Sequence, residues 1–123
     1  MGTGFLGNNV ITQVGIVVRD IEKSSREFFG MHVPAWVQTD AMDKAQTRFR
    51  GAPTPGRAKL AFMHFGSIDI ELIEPDPHPN TWREHLDARG EGVHHLAFVV
   101  DGMADRVRAL EAHGHPLQQK GKE

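Results

Sequence analysis

Two apolar runs that lie far apart in the chain share one pattern. Gln13-Val-Gly-Ile-Val-Val18 is echoed by His95-Leu-Ala-Phe-Val-Val100, and each run opens with a polar side chain before its apolar residues. Short runs rich in valine and isoleucine are typical of buried strands. The echo therefore predicts that one structural unit is used twice, with a polar group at the same place in both copies.

The first half of the chain predicts a strand, a helix and then three further strands. Asp20 is placed to cap the helix and Gly30 to end it, and Gly66 is placed to turn a hairpin. The predicted strands and loop are residues 11–18, residues 33–39, a long polar loop at residues 40–56 with a short strand near residues 47–50, and the hairpin of residues 58–65 and 67–74.

The second half predicts strand, helix and strand, and then stops. A stiff proline-rich linker at residues 75–79 leads into a helix that starts at Asn80 or Thr81 and ends near Gly90. A strand at residues 93–100, a helix at residues 103–113 and the start of a strand at residues 116–119 follow. We divide this α+β chain into a tail (1–9), a first module (10–76), a linker with a short helix (77–91) and a second module (92–123) that lacks its last strands.

Composition narrows the class of protein. A chain of 123 residues fits one domain, and it contains no cysteine, so disulfides and zinc–thiolate sites are excluded. A formal charge of −2 without a basic stripe argues against nucleic acid. Apolar runs are too short for a membrane span, and the N-terminus lacks a signal-peptide pattern. We expect a cytoplasmic protein.

Three side chains in the predicted strands are candidate metal ligands: Gln13, Glu71 and His95. Each has a structural alternative, because Gln13 could bond to core backbone, His95 could be a satisfied core histidine, and Glu71 could face water. Strict alternation along the strand points His94 to the opposite face from His95, so His94 receives no role.

Because these candidates lie at matching places in a repeated unit, together they support a metal site more strongly than any one of them does alone. An amide oxygen, a carboxylate and an imidazole suit a divalent ion such as Zn, Ni, Co, Mn or Fe(II). They would leave coordination positions open for water or for two oxygens of a substrate. Neither the P-loop nor the dinucleotide-binding glycine pattern occurs, so nucleotide sites lack support.

The segments Gln13 to Ser24, Ile70-Glu-Leu-Ile-Glu-Pro75 and Gly92 to Val100 resemble the vicinal oxygen chelate superfamily, which includes glyoxalase I, methylmalonyl-CoA epimerase, extradiol dioxygenases and bleomycin-resistance proteins. The epimerase and glyoxalase branch is the most similar. The resemblance implies paired βαβββ modules whose mixed sheet curls around a metal cleft. It also implies Gln13, Glu71 and His95 as metal ligands, with a fourth ligand beyond Glu123.

The resemblance implies a divalent-metal-dependent isomerase or lyase that acts through a metal-stabilised enolate on a small oxygenated or thioester substrate. One alternative is a metal-free binding protein of the bleomycin-resistance type, which would use aromatic residues such as Trp36, Trp82 and Phe62. Core packing of Phe62 and partial burial of both tryptophans are the structural interpretations of these aromatics. A second alternative is an Fe(II) extradiol dioxygenase relative. Unpaired sheet edges favour a homodimer.

Overall fold

A computed structural model describes residues 4–30, 37–38, 48–54 and 58–120 of the chain. Its elements are, in chain order, β1 (Gln13–Val17), α1 (Ile21–Phe29), β2 (Val37–Gln38), β3 (Arg48–Phe49), β4 (Ala52–Pro53), β5 (Ala58–Phe65), β6 (Ile68–Pro75), α2 (Thr81–Arg89), β7 (Gly92–Ala97), α3 (Met103–Ala112) and β8 (Gln119–Lys120).

The main sheet has five strands in the order β2-β5-β6-β1-β7. Strand β1 runs parallel to β6 and antiparallel to β7, while β5 and β6 form an antiparallel hairpin. Gly66 turns that hairpin at φ 62°, a left-handed conformation that glycine adopts without strain. The curled mixed sheet confirms the predicted α+β class, and β1 joins the first module to the echo strand β7.

Helix ends lie where the sequence predicts them. The Asp20 side chain accepts a hydrogen bond from the Lys23 amide at 3.1 Å, and Gly30 closes α1 in the left-handed region. Asn80, rather than Thr81, caps α2 by accepting from the Arg83 amide at 2.7 Å. A cap of this kind contributes about 1 kcal/mol to helix stability.

Three strands differ from the sequence prediction or lie partly outside the described residues. The polar loop at 40–56 contains β4 as well as the predicted strand β3, and both join β8 in a separate three-stranded sheet of order β4-β3-β8. Strand β7 ends at Ala97, three residues earlier than predicted. Of the strand predicted at 33–39, only β2 falls within the described residues.

The core has two layers, one on each face of the sheet. On one face α1 packs through Ile21 onto Leu72 and Met63. On the other, Leu60 and Ile73 form a cluster against which Trp82 of α2 packs. We call the second side the α2 face. In the described part of the chain, every fully buried apolar side chain lies between Val17 and Leu86, and no helix is long and apolar enough to cross a membrane.

Candidate metal centre

Strands β6, β1 and β7 place Glu71, Gly15 and His95 side by side in one row of the sheet. Gly15 is the register partner of Glu71 on one side and of His95 on the other. Side chains alternate along a strand, and Glu71 is two residues from Ile73, so the row lies on the α2 face. The structure thus brings two of the three predicted ligands to the same place.

The missing side chain of Gly15 lets His95 reach across β1 to Glu71. A Cβ atom added to Gly15 would lie 2.7 Å from Nδ1 of His95 and closer still to two other ring atoms. Carbon atoms do not approach that closely, so only glycine accommodates the ring. The Nε2 atom of His95 lies 3.4 Å from Oε1 of Glu71 as a result.

Gln13 lies on the same face in the neighbouring row. Its register partners are Asp69 and Ala97, each two residues from Glu71 or His95, a separation of roughly 6.7 Å along a strand. The Gln13 side chain is partly buried, and its amide group has no hydrogen bond to another residue that the structure describes. Gln13 therefore shares the face with the other two candidates without contacting them.

A β-bulge in β7 brings His94 to the site, which corrects the expectation from strict alternation. Gly15 pairs with His95 but Ile16 pairs with Val93, so His94 is an extra residue in the ladder. A bulge re-aims the side chains of the strand that carries it. Nδ1 of His94 lies 2.8 Å from Nδ1 of His95.

The contacts of His94 indicate which of its ring nitrogens carries the proton. Nε2 of His94 lies 3.2 Å from the Thr81 carbonyl oxygen, which only accepts, so that nitrogen donates. Burial, followed by the nearby charge of His95, lowers the pKa of His94 and keeps its ring neutral. Nδ1 of His94 then accepts from Nδ1 of His95, and this contact leaves Nε2 of His95 directed at Glu71.

Nε2 of His95 and Oε1 of Glu71 face each other at 3.4 Å, a separation that either a proton on Nε2 or a bound cation would bridge favourably. Glu71 is buried, with 11% of its side chain exposed, and His95 is its ion-pair partner among the described residues. A buried carboxylate without a positive partner is unfavourable. A histidine that donates through Nδ1 while presenting Nε2 is the usual arrangement of a metal ligand. The donor set therefore fits a divalent ion.

Within the described residues, the candidate ligands do not form a complete coordination shell. No three histidine, cysteine, aspartate or glutamate side chains there are grouped as a metal site. The third donor on this face would be the Gln13 amide, which is outside those residue types. A fourth protein ligand remains a prediction.

Two further side chains lie on the α2 face: Phe62, named only for the metal-free alternative, and His64, which was not predicted as part of a site. Phe62 is the register partner of Glu71 and is 40% exposed, so the expectation that it packs in the core was wrong. His64 pairs with Asp69 through Nδ1 at 2.6 Å, in the same row as Gln13. Alternation of Phe62 and His64 along one strand is the sequence signal that places them together. Trp36 lies outside the described residues.

Comparison with known proteins gives one family. A family model described as the Glyoxalase/Bleomycin resistance protein/Dioxygenase superfamily matches residues 12–123. The uncharacterized protein YqjC of Bacillus subtilis (strain 168) is 33% identical over 54 residues, which are 44% of this chain and 39% of that protein. The matching segment thus spans about two fifths of that relative.

Similar solved structures share the fold at low identity. The hypothetical protein BH1468 from Bacillus halodurans C-125 superposes with a TM-score of 0.58 at 23% identity, covering 85% of this chain and 68% of that one. Methylmalonyl-CoA epimerase from Mycobacterium tuberculosis gives a TM-score of 0.55 at 23% identity, covering 93% and 69%. Both likenesses support the partial glyoxalase-like architecture.

Proposed function

The chain belongs to the glyoxalase/bleomycin resistance protein/dioxygenase superfamily, and on that premise we propose that it is a divalent-metal-dependent isomerase or lyase acting on a small oxygenated or thioester substrate. The observation that carries the proposal is the buried Glu71 carboxylate, which lies 3.4 Å from Nε2 of His95 across Gly15. The similarity of the fold to that of a methylmalonyl-CoA epimerase supports an isomerase as the reaction class.

Gln13, Glu71 and His95 would hold the cation. When bound, the cation would supply Lewis-acid polarisation of two neighbouring substrate oxygens. The chain contributes the rest: His94 orients the His95 ring, Gly15 keeps the space between the strands open, and burial of Glu71 strengthens its electrostatic attraction for a cation.

Metal binding by the purified protein tests the proposal. Protein prepared without chelators should hold one divalent ion per chain, and Glu71→Gln or His95→Gln should lower the metal affinity at least about tenfold. His78→Gln is a matched control, because His78 also lies 3.4 Å from a carboxylate, that of Asp76, outside the α2 face. A protein that binds no divalent ion, or loses binding equally in the control, would contradict the proposal.

A metal-free binding protein is the second candidate, and the exposure of Phe62 favours it. An aromatic ring open to solvent on the α2 face offers a stacking surface for an aromatic ligand. Trp82 packs on the core cluster and is not available for that role. Thermal stabilisation by an aromatic ligand in the presence of a chelator, lost in Phe62→Ala, would favour this function over the first.

We also propose a C2 homodimer that acts in the cytoplasm. Strand β7 is an edge of the main sheet in the described residues, and its outward apolar side chains Val93 and Leu96 are 61% and 50% exposed. Edges of this kind favour pairing with another chain. Light scattering gives the mass directly, and a monomer at micromolar concentration would contradict the dimer.

A further inference from the structure

A cavity of about 380 Å³ lies between α2, β7 and the residues around Arg50 and Gln118. This volume is within the range typical of small-molecule sites. The side of the cavity formed by α2 consists of one helical stripe, since its positions are three or four residues apart: Thr81, Glu84, His85, Ala88 and Arg89.

Among the described residues that line the cavity, one cationic side chain has no charged partner. The Arg50 guanidinium lies 2.7 Å from the Glu84 carboxylate and donates through Nε to the Gln118 amide oxygen at 2.9 Å. These two charges offset each other and hold the cavity wall in place. Arg89 makes no ion pair or hydrogen bond with any side chain that the structure describes. The net charge at the cavity is therefore positive.

His85 adds a hydrogen-bond donor beside Arg89. Its Nδ1 atom is buried and has no hydrogen-bond partner among the described residues, and its ring meets His94 edge-on at 5.3 Å. A buried N–H without an acceptor is rarer than an unpaired acceptor, which favours the tautomer that carries its proton on Nε2. Nε2 is the ring nitrogen that is not buried, and His85 lines the cavity, so Nε2 is available as a donor to a bound ligand.

The cavity adjoins the candidate metal centre through His94. That residue lines the cavity and also touches His95 through Nδ1 at 2.8 Å. Thr81, at the start of α2, accepts from Nε2 of His94 with its carbonyl oxygen, so the helix that carries His85 and Arg89 contacts the strand that carries His95. His94 is therefore a common neighbour of the cavity and of the candidate metal centre.

We propose that this cavity binds an oxyanion, the carboxylate or phosphate end of the small molecule whose oxygenated end reaches the metal centre. Arg89 supplies the charge, His85 supplies a second donor, and the Arg50–Glu84 pair shapes the wall. The inference deepens the proposed function, on which its link to the metal rests, by assigning the substrate to the class of small acids or phosphate esters.

Anion binding to metal-free protein tests the inference separately from metal binding. Sodium phosphate and sodium acetate are titrated in a chelator, and the side-chain nitrogen resonances of His85 and Arg89 are followed by NMR. We expect a saturable shift at both residues with at least one anion. Arg89→Gln should weaken that binding about tenfold, as expected for loss of a charge-assisted hydrogen bond.

Arg26→Gln is the matched control, because Arg26 occupies the last turn of α1 as Arg89 occupies the last turn of α2. It should leave anion binding unchanged, and both variants should keep the melting temperature of the parent. Binding of phosphate alone would assign a phosphate ester, and binding of acetate alone a carboxylate. No saturable shift with either anion, or equal weakening in the control, would overturn the inference whether or not the protein binds metal.

Discussion

Helices α1 and α3 follow equivalent strands of the echoed pattern, yet they differ in burial. Ile21 and Ser25 of α1 are completely buried, whereas α3 has no buried residue and its Met103 is 50% exposed. Helix α1 packs on the hairpin of β5 and β6, and no hairpin of the second module lies within the described residues. The same sequence pattern therefore gives a strand followed by a helix in both places. The helix is buried only where further strands, such as β5 and β6, pack against it.

The largest expected effect contrasts these two helices directly. Ile21→Ala should lower the free energy of unfolding by about 3 kcal/mol, because it leaves a cavity in the core. Met103→Ala, its counterpart at the first position of α3, should lower it by less than about 1 kcal/mol, since Met103 is 50% exposed. Urea denaturation measures both. Equal losses would mean that α3 is as well packed as α1.

The next largest effect is expected at Gly15, which lies between Glu71 and His95 in the sheet. Gly15→Ala should lower the free energy of unfolding by about 2 kcal/mol, because its methyl group overlaps the His95 ring. In a His95→Ala background the same substitution should be nearly neutral. A double-mutant cycle by denaturation measures this coupling. Additive losses would show that His95 does not lie across Gly15.

The exposed edge of the second module allows a test of the proposed homodimer. Leu96→Lys should weaken self-association at least about tenfold, because it places a charge at the edge of β7. Phe65→Lys is the control, since Phe65 is comparably exposed but belongs to the hairpin of the first module. Sedimentation equilibrium gives the dissociation constants of both variants. A larger effect in the control would place the interface on the first module.

The smallest expected effect concerns the helix caps. Asp20→Ala should lower the free energy of unfolding by about 1 kcal/mol, because Asp20 accepts from the Lys23 amide. Helix α3 starts after Gly102 without a side-chain cap, so Asp101→Ala should change the free energy of unfolding by less than about 0.5 kcal/mol. Thermal denaturation monitored by circular dichroism compares them. A larger loss for Asp101→Ala would contradict the assignment of the caps.

The sequence predicted the elements that carry a long pattern or a clear end signal. The hairpin around Gly66 and the capped helix α1 are of this kind, and both are confirmed. The echo between residues 13–18 and 95–100 also placed Glu71 and His95 on strands that the sheet brings together.

What could not be predicted depends on pairing between strands. The bulge that turns His94 toward His95 arises from the register of β7 against β1, which leaves no trace in the alternation of β7 itself. Phe62 is apolar at a strand position that suits the core, but its burial depends on what covers the α2 face at that row. The two-residue strands β3, β4 and β8 are too short to show a period.

The histidine rings give the most direct measurement of the central claim that Glu71 and His95 form a metal centre. Zinc titration of protein with ¹⁵N-labelled histidine should shift Nε2 of His95 at one equivalent, while its Nδ1 keeps the hydrogen bond to His94. Glu71→Gln should weaken that response. A His95 Nε2 resonance unaffected by zinc, with the shift at an exposed histidine such as His78 instead, would contradict the account.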